Sequence, residues 1–147
     1  SKRERFKHSS SVFVVIRKEG QILWLRRSQT GWLDGCYSIP AGAIDGGEPA
    51  QHAAAREARE ETCLDIQACN LELRHVIHCM TDGDEWMGHF FEANKWTGNP
   101  RLGEPHKHDD LCWVRLDQTS FPVVPYVMQA LQCIKQGQTF SRYGWKC

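Results

Sequence analysis

Three glutamates, Glu57, Glu60 and Glu61, stand at i, i+3 and i+4 in an alanine-rich stretch. If that stretch is helical, their carboxylates leave the helix on one side. Like charges so placed repel one another and weaken the helix unless something neutralises them. Arg56 and Arg59 are adjacent in sequence, but each sits about 100° round the helix from its neighbouring glutamate and compensates only in part. A cluster of hard oxygen ligands is what Mg²⁺ or Mn²⁺ prefers. A solvated charged face has the same pattern, and the helix alone leaves both readings open.

The elements that must position these side chains can be read from pattern. Pro49–Thr62 predicts a helix, with Pro49 suited to its first position and Ala50, Ala53, Ala54, Ala55 and Ala58 supplying propensity. Ser11–Arg17 and Gln21–Arg27 predict strands joined at Glu19-Gly20 as a hairpin. Gln29–Asp45, rich in Gly and Asp, reads as loop. Further strands are expected at Glu72–Cys79, Trp86–Asn94 and Leu111–Arg115. A last amphipathic helix, roughly Pro125–Gln136, places Val127, Ala130, Leu131 and Ile134 at helical spacing. The segment from Phe140 to Trp145 is too aromatic for a free terminus and is expected to pack on the domain or on a partner subunit. No repeat or linker interrupts the chain, so residues 1–147 are read as one domain, of mixed, layered α/β type.

Composition narrows the function classes. The formal net charge is zero, so no overall field draws in nucleic acid or an anionic membrane, and polyanion recognition must be local. The basic run within residues 1–10 (Lys2, Arg3, Arg5, Lys7) is expected to be a flexible, solvated segment rather than an RNA-binding one. The seven cysteines include no C-x-x-C pair, which argues against a disulfide framework or zinc ribbon and for free thiols in a reducing cytoplasm. No apolar run of about 18 residues or signal pattern occurs, so a soluble cytoplasmic protein is expected. The opening Ser1 suggests a processed or engineered start.

The loop before the helix resolves the ambiguity. Gly42, Glu48, Arg56, Glu57, Glu60, Glu61 and Leu64 fall in register with G-x5-E-x7-R-E-U-x-E-E-x-G-U, where U is a bulky aliphatic residue, so the segment 42–64 resembles the Nudix box. Two positions depart from it. Ala58 stands where an aliphatic residue is usual, which predicts looser packing, and Cys63 stands where glycine follows the helix. If that residue needs positive φ, cysteine costs about 1 kcal/mol relative to glycine. The Ser38-Ile39-Pro40-Ala41-Gly42 approach and Trp96-Thr97-Gly98-Asn99-Pro100 also look like MutT-type members. The resemblance implies an α/β/α sandwich with a mixed central sheet, the loop–helix–loop of the box lying against it.

It also implies roles. Nudix enzymes use water to split a nucleoside diphosphate linked to a group X, with Mg²⁺ or Mn²⁺ bound. Glu57 and Glu61 would be the main ligands, Glu60 would share a second ion, and the Gly42 carbonyl would add a backbone ligand. Arg56 would orient a glutamate, and Glu48 would brace the loop–helix–loop. A later carboxylate, Glu104 in preference to Glu92, would be a further ligand or the general base. Asp109 and Asp110 resemble the pair with which oxidised-purine triphosphatases grip the base, though capping a strand is an equal reading. Tyr37, Trp86 and Trp32 could stack on a base, and Arg26 and Arg27 could reach phosphates; core packing and solvation are the competing readings. His106 and His108 lack enough nearby ligands for zinc, and His75 and His78 face opposite sides of a strand. The expected substrates are nucleoside triphosphates, including oxidised dGTP, split to monophosphate and pyrophosphate. ADP-ribose, dinucleoside polyphosphates and capped RNA ends are the alternatives, followed by a non-catalytic nucleotide sensor. The expected assembly is a monomer or homodimer.

Overall fold

The computed structural model describes residues 3–146; Ser1, Lys2 of the basic run and Cys147, one of the seven cysteines, lie outside the described residues. The order is β1 (Ser9–Lys18), β2 (Gln21–Arg27), β3 (Tyr37–Ser38), β4 (Ala41–Ala43), α1 (Ala50–Thr62), β5 (Glu72–Thr81), β6 (Asp84–Ala93), β7 (His108–Val114), α2 (Pro125–Lys135) and β8 (Phe140–Tyr143). The strands form a mixed sheet in which β3-β2-β1-β6-β5-β8 are neighbours, with β4 on β1 and β7 on β2.

β1 explains the layering. Its residues Val12 to Ile16 are all buried, as in a strand covered on both faces. The side-chain alternation of a strand then splits them between two cores. Phe13 and Val15 join Ile22 and Trp24 under α2, with Tyr126, Val127, Ala130 and Leu131. Val12, Val14 and Ile16 join Leu23 under α1, with Ala53, Ala54 and Ala58. The helices therefore cover opposite faces, giving an α/β/α sandwich. Each fully buried aliphatic side chain contributes about 1.5–3 kcal/mol. Ala58 is fully buried, so its small side chain sits within the α1 layer.

Several elements differ from the sequence expectation. The β1–β2 hairpin pairs only near its turn, at Arg17↔Ile22 and Lys18↔Gln21. Beyond it β1 runs parallel to β6 and β2 runs antiparallel to β7. The loop 29–45 contains β3 and β4, which exist by pairing with β2 and β1. β7 starts at His108 instead of Leu111, so Asp109 and Asp110 lie within the strand and do not precede it. Pro49 caps α1 with extended backbone, and the helix starts at Ala50. β1 starts at Ser9, which shortens the exposed N-terminal segment to residues ending at His8. The aromatic tail packs on its own domain: β8 adds parallel to β5, and the Trp145 indole donates to the His78 carbonyl at 3.0 Å.

Candidate active site

α1 ends where the backbone must turn sharply. Cys63 adopts φ 63°, ψ 13°, and its N–H donates to the Arg59 carbonyl, the left-handed stop normally given to glycine. The Thr62 hydroxyl donates back to the Ala58 carbonyl at 2.6 Å. Two more of the last-turn carbonyls are taken by a distant loop, Arg101 N–H donating to Thr62 and Gly103 N–H to Glu61. A Cβ on Gly103 would lie 2.1 Å from the Glu60 carbonyl oxygen, so only glycine permits this docking. The loop thereby carries Glu104 to the same end of the helix as Glu60 and Glu61.

At the start of the motif, Arg56 organises the acids. Its Nε and Nη2 donate to the two Glu48 oxygens at 2.8 and 3.0 Å, and Nη1 to Glu57 at 2.8 Å. The Ala43 carbonyl accepts from Nη2 at 3.2 Å, and Glu60 stands 3.5 Å from Nη1. This bidentate bond ties the loop to the helix and holds Glu48 below the ordinary carboxylate range, while the surrounding acids raise Arg56.

Glu61 is the unusual member. It is 5% exposed, accepts from the Ala41 N–H at 3.3 Å and lies against Glu57. Burial first, then the Glu57 and Glu104 carboxylates, push its pKa well above the ordinary range. On its other side His108, also buried, places Nε2 3.8 Å away. Nδ1 of His108 is buried with no hydrogen-bond partner among the described residues. Burial and then Arg27 lower this imidazole to about 4, so it is neutral near pH 7 and does not compensate Glu61 by charge.

Opposite these acids is Gly42, on β4. A Cβ there would fall 2.1–2.4 Å from the Glu57 carboxyl atoms, so backbone and carboxylate meet as closely as glycine allows. A cleft of about 570 Å³ opens over Gly42, Glu57 and Glu61 and is bordered by Arg27, His106 and Lys107. Glu60 is 46% exposed at its side chain, and Glu104 stands 3.6 Å from Lys107. Among the described residues no three His, Cys, Asp or Glu side chains converge as a finished ion site. Glu60 and Glu104 do not line the cleft itself; the donors that do nevertheless fit a hard divalent cation, two apposed carboxylates and a backbone cradle without Cβ.

The other residues singled out in the sequence do not gather here. Tyr37 is 7% exposed, stacked on Phe121 and donating its hydroxyl to Asp110. Arg26 pairs with Asp109 at 2.6 Å on the outer side of β2. None of these four lines the cleft, whereas Arg27, one residue on, does. Trp86 and Trp32 line a neighbouring cavity. Glu92 sits 3.6 Å from Arg17, away from the cleft. Sequence reasoning missed Gly103 as a docking point and His108 as the neighbour of Glu61; the register shift that sets Arg27 opposite His108 has no sequence signature.

A sequence profile described as the NUDIX domain matches residues 7–131. The uncharacterized Nudix hydrolase YvcI of Bacillus subtilis is 33% identical over 131 residues, covering 84% of this chain and 77% of its own length. A MutT Nudix hydrolase structure from Burkholderia pseudomallei superposes with TM-score 0.79 at 27% identity, covering 86% of this chain and 98% of that one. The MutT protein of Methanosarcina mazei shares the fold at TM-score 0.75 and 21% identity, over 88% of this chain and 94% of its own. Such hydrolases act on pyrophosphate bonds of small nucleotide derivatives and generally need divalent cations, and no helix among the described residues is long and apolar enough to cross a membrane. With the glutamate helix, the Gly42 cradle and the sandwich that presents them, the chain belongs to the Nudix hydrolase family.

Proposed function

We propose that this chain is a Mg²⁺- or Mn²⁺-dependent pyrophosphohydrolase that splits nucleoside triphosphates, oxidised dGTP among them, into monophosphate and pyrophosphate. The observation that carries the reading is the close Glu57–Glu61 pair, Glu61 buried and Glu57 partly so, facing Gly42 in an open cleft. Two apposed carboxylates cost stability unless a proton or a cation sits with them, and a metal-dependent hydrolase requires that cation.

Glu57, Glu61 and the Gly42 carbonyl would hold the ion, with Glu60 and Glu104 completing its ligands or sharing a second one. When bound, it would neutralise phosphate oxygens and lower the pKa of the attacking water. Arg56 fixes Glu57 and braces the box through Glu48. Arg27, Lys107 and His106 on the cleft border face the incoming phosphates. Water oxygen bonds to phosphorus as the bridging P–O bond breaks, and its proton passes to a carboxylate, for which Glu104 is the candidate.

The test is phosphate and pyrophosphate release across canonical and oxidised dNTPs, nucleoside diphosphates, ADP-ribose, dinucleoside polyphosphates and capped RNA, with Mg²⁺ or Mn²⁺. Metal-dependent release from triphosphates, lost in Glu61→Gln, is the expected result. A different winner reassigns the substrate; silence across the panel from folded, metal-binding protein rejects catalysis and favours the nucleotide sensor.

A further inference from the structure

A second cavity, of about 450 Å³, adjoins the cleft and shares with it the wall formed by Arg27, Ser38 and Gly42. Its remaining lining has a different chemistry. Trp32 stacks on Tyr126 (6.1 Å, 24°), and Trp86 meets the same ring edge-on (5.0 Å, 77°). Both indoles are held in place. The Trp86 N–H donates to the Thr81 hydroxyl at 2.9 Å. Arg27 lies 4.9 Å over the Trp32 ring while its Nε donates to the Trp32 carbonyl at 2.8 Å. Rigid aromatic walls of this kind accept a planar ring.

Two features give this space a polarity. Asp82, on the tight turn between β5 and β6, and Asp84, which opens β6, line this cavity and not the cleft, and Arg27 on the shared wall is the one cation lining it among the described residues. Tyr126 is nine-tenths buried and lines the same space. Its hydroxyl takes no hydrogen-bond partner among the described residues, and burial is the first cause raising its pKa. An unpartnered hydroxyl on a residue that lines the cavity is one that a ligand can satisfy. Ionised carboxylates only accept hydrogen bonds, so the ring that fits must present N–H donors to Asp82 and Asp84. A ring carbonyl there would set lone pairs against negative charge.

We propose that this cavity seats the base of the nucleotide, and that Asp82 and Asp84 select bases carrying an exocyclic amino group over isosteres with a carbonyl in its place. The assignment rests on the nucleotide reading above and adds the specificity to it. It also removes Asp109 and Asp110 from base recognition, since Arg26 and Tyr37 already engage them.

Binding separates the two proposals, because it needs neither turnover nor metal. Calorimetric titration of the full chain with CMP against UMP, and AMP against IMP, compares amino with carbonyl in rings of the same shape, the neighbouring ring nitrogen changing from acceptor to N–H donor with it. The amino member of each pair is expected to bind about tenfold more tightly, in line with the discrimination of one good base contact. The double variant Asp82→Asn, Asp84→Asn should bring each pair to within about twofold, since an amide can donate as well as accept. Asp82 has φ 51°, a conformation asparagine also tolerates, so the turn should survive. Trp86→Ala should weaken all four nucleotides. Equal affinity within the pairs, a preference that persists in the double variant, or binding indifferent to Trp86→Ala overturns the assignment, as does absence of binding by all four. Discrimination without turnover of any triphosphate rejects only the hydrolase reading; turnover without discrimination rejects only this one.

Discussion

Replacing Gly42 by alanine tests the cradle directly. Backbone strain does not enter, because Gly42 is not among the positive-φ residues. The added Cβ would lie 2.1 Å from the Glu57 carboxyl carbon, where ordinary contact begins at 3.4 Å. The carboxylate must therefore retreat by about 1.3 Å. Glu57 can do so by rotating its side chain, at the cost of loosening its 2.8 Å bond from Arg56, so the melting temperature should move by only about 2 °C. A displacement of about 1 Å in a reacting constellation costs on the order of 10²-fold, or about 2.7 kcal/mol of transition-state stabilisation. The expected result is a kcat/KM about 100-fold lower, carried mainly by kcat, with Mn²⁺ affinity by calorimetry about tenfold weaker. The matching change at Gly103 meets the Glu60 carbonyl backbone instead. Backbone cannot rotate away, so Gly103→Ala should lower both activity and melting temperature. Full activity in Gly42→Ala, or a Gly42→Ala variant as unstable as Gly103→Ala, would refute the argument that side chain and backbone contacts differ here.

Glu61→Gln should stabilise the metal-free protein at pH 8 by about 1 kcal/mol, because a carboxyl whose folded pKa is raised binds more protons in the native state and loses stability as pH rises; urea melts at pH 6 and 8 measure it, and an unchanged or lower midpoint at pH 8 counts against it. His108→Gln should flatten the acid side of the stability profile. The folded pKa of about 4 lies below the usual 6.5, so native stability falls as pH drops from about 6.5 towards 4, by on the order of 2 kcal/mol after discounting for partial solvation; a variant with the parent's slope refutes this. Cys63→Gly should raise the melting temperature by about 3 °C through relief of about 1 kcal/mol at φ 63°, and a lowered one by calorimetry would mean that the attraction between the Cys63 side chain and Arg101 matters more. Asp109→Asn should leave the ranking of nucleotide bases unchanged, because its partner is Arg26; an altered ranking in the nucleotide panel would return it to base recognition.

The helix and its acids were legible because both signals are local: alanines give the propensity, and i, i+3, i+4 spacing sets the face. Glycine following helix α1 in the family pattern and the left-handed Cys63 actually found agree for the same reason, since the stop is a property of one residue. The short strands β3 and β4 were not legible, because nothing in Tyr37–Ser38 or Ala41–Ala43 favours a strand until β2 and β1 supply partners. Asp109 and Asp110 illustrate the limit of position alone. Their place before Trp113 suggested a base clamp, but Arg26 and Tyr37, both distant in sequence, engage them in the structure. Gly103 was invisible because its purpose lies in a distant contact, the end of α1. Sequence thus displayed the acids and not the packing that raises Glu61.

The central strand β1 has a consequence for how the molecule is made. Its partner β6 lies far along the chain, Ser9 pairing with Trp86 and Ile16 with Ala93, and a parallel pairing of such distant segments forms late. On the ribosome the whole glutamate motif emerges by Leu64, before the strand that must support it exists. α1 then has its buried face, Ala53, Ala54 and Ala58, with only part of a sheet to cover. Glu104 and its docking loop follow later still. The nascent chain therefore spends part of its synthesis with a complete motif and no working site, and with apolar strand edges open to association. β8 closes the β5 edge only after the other seven strands have emerged.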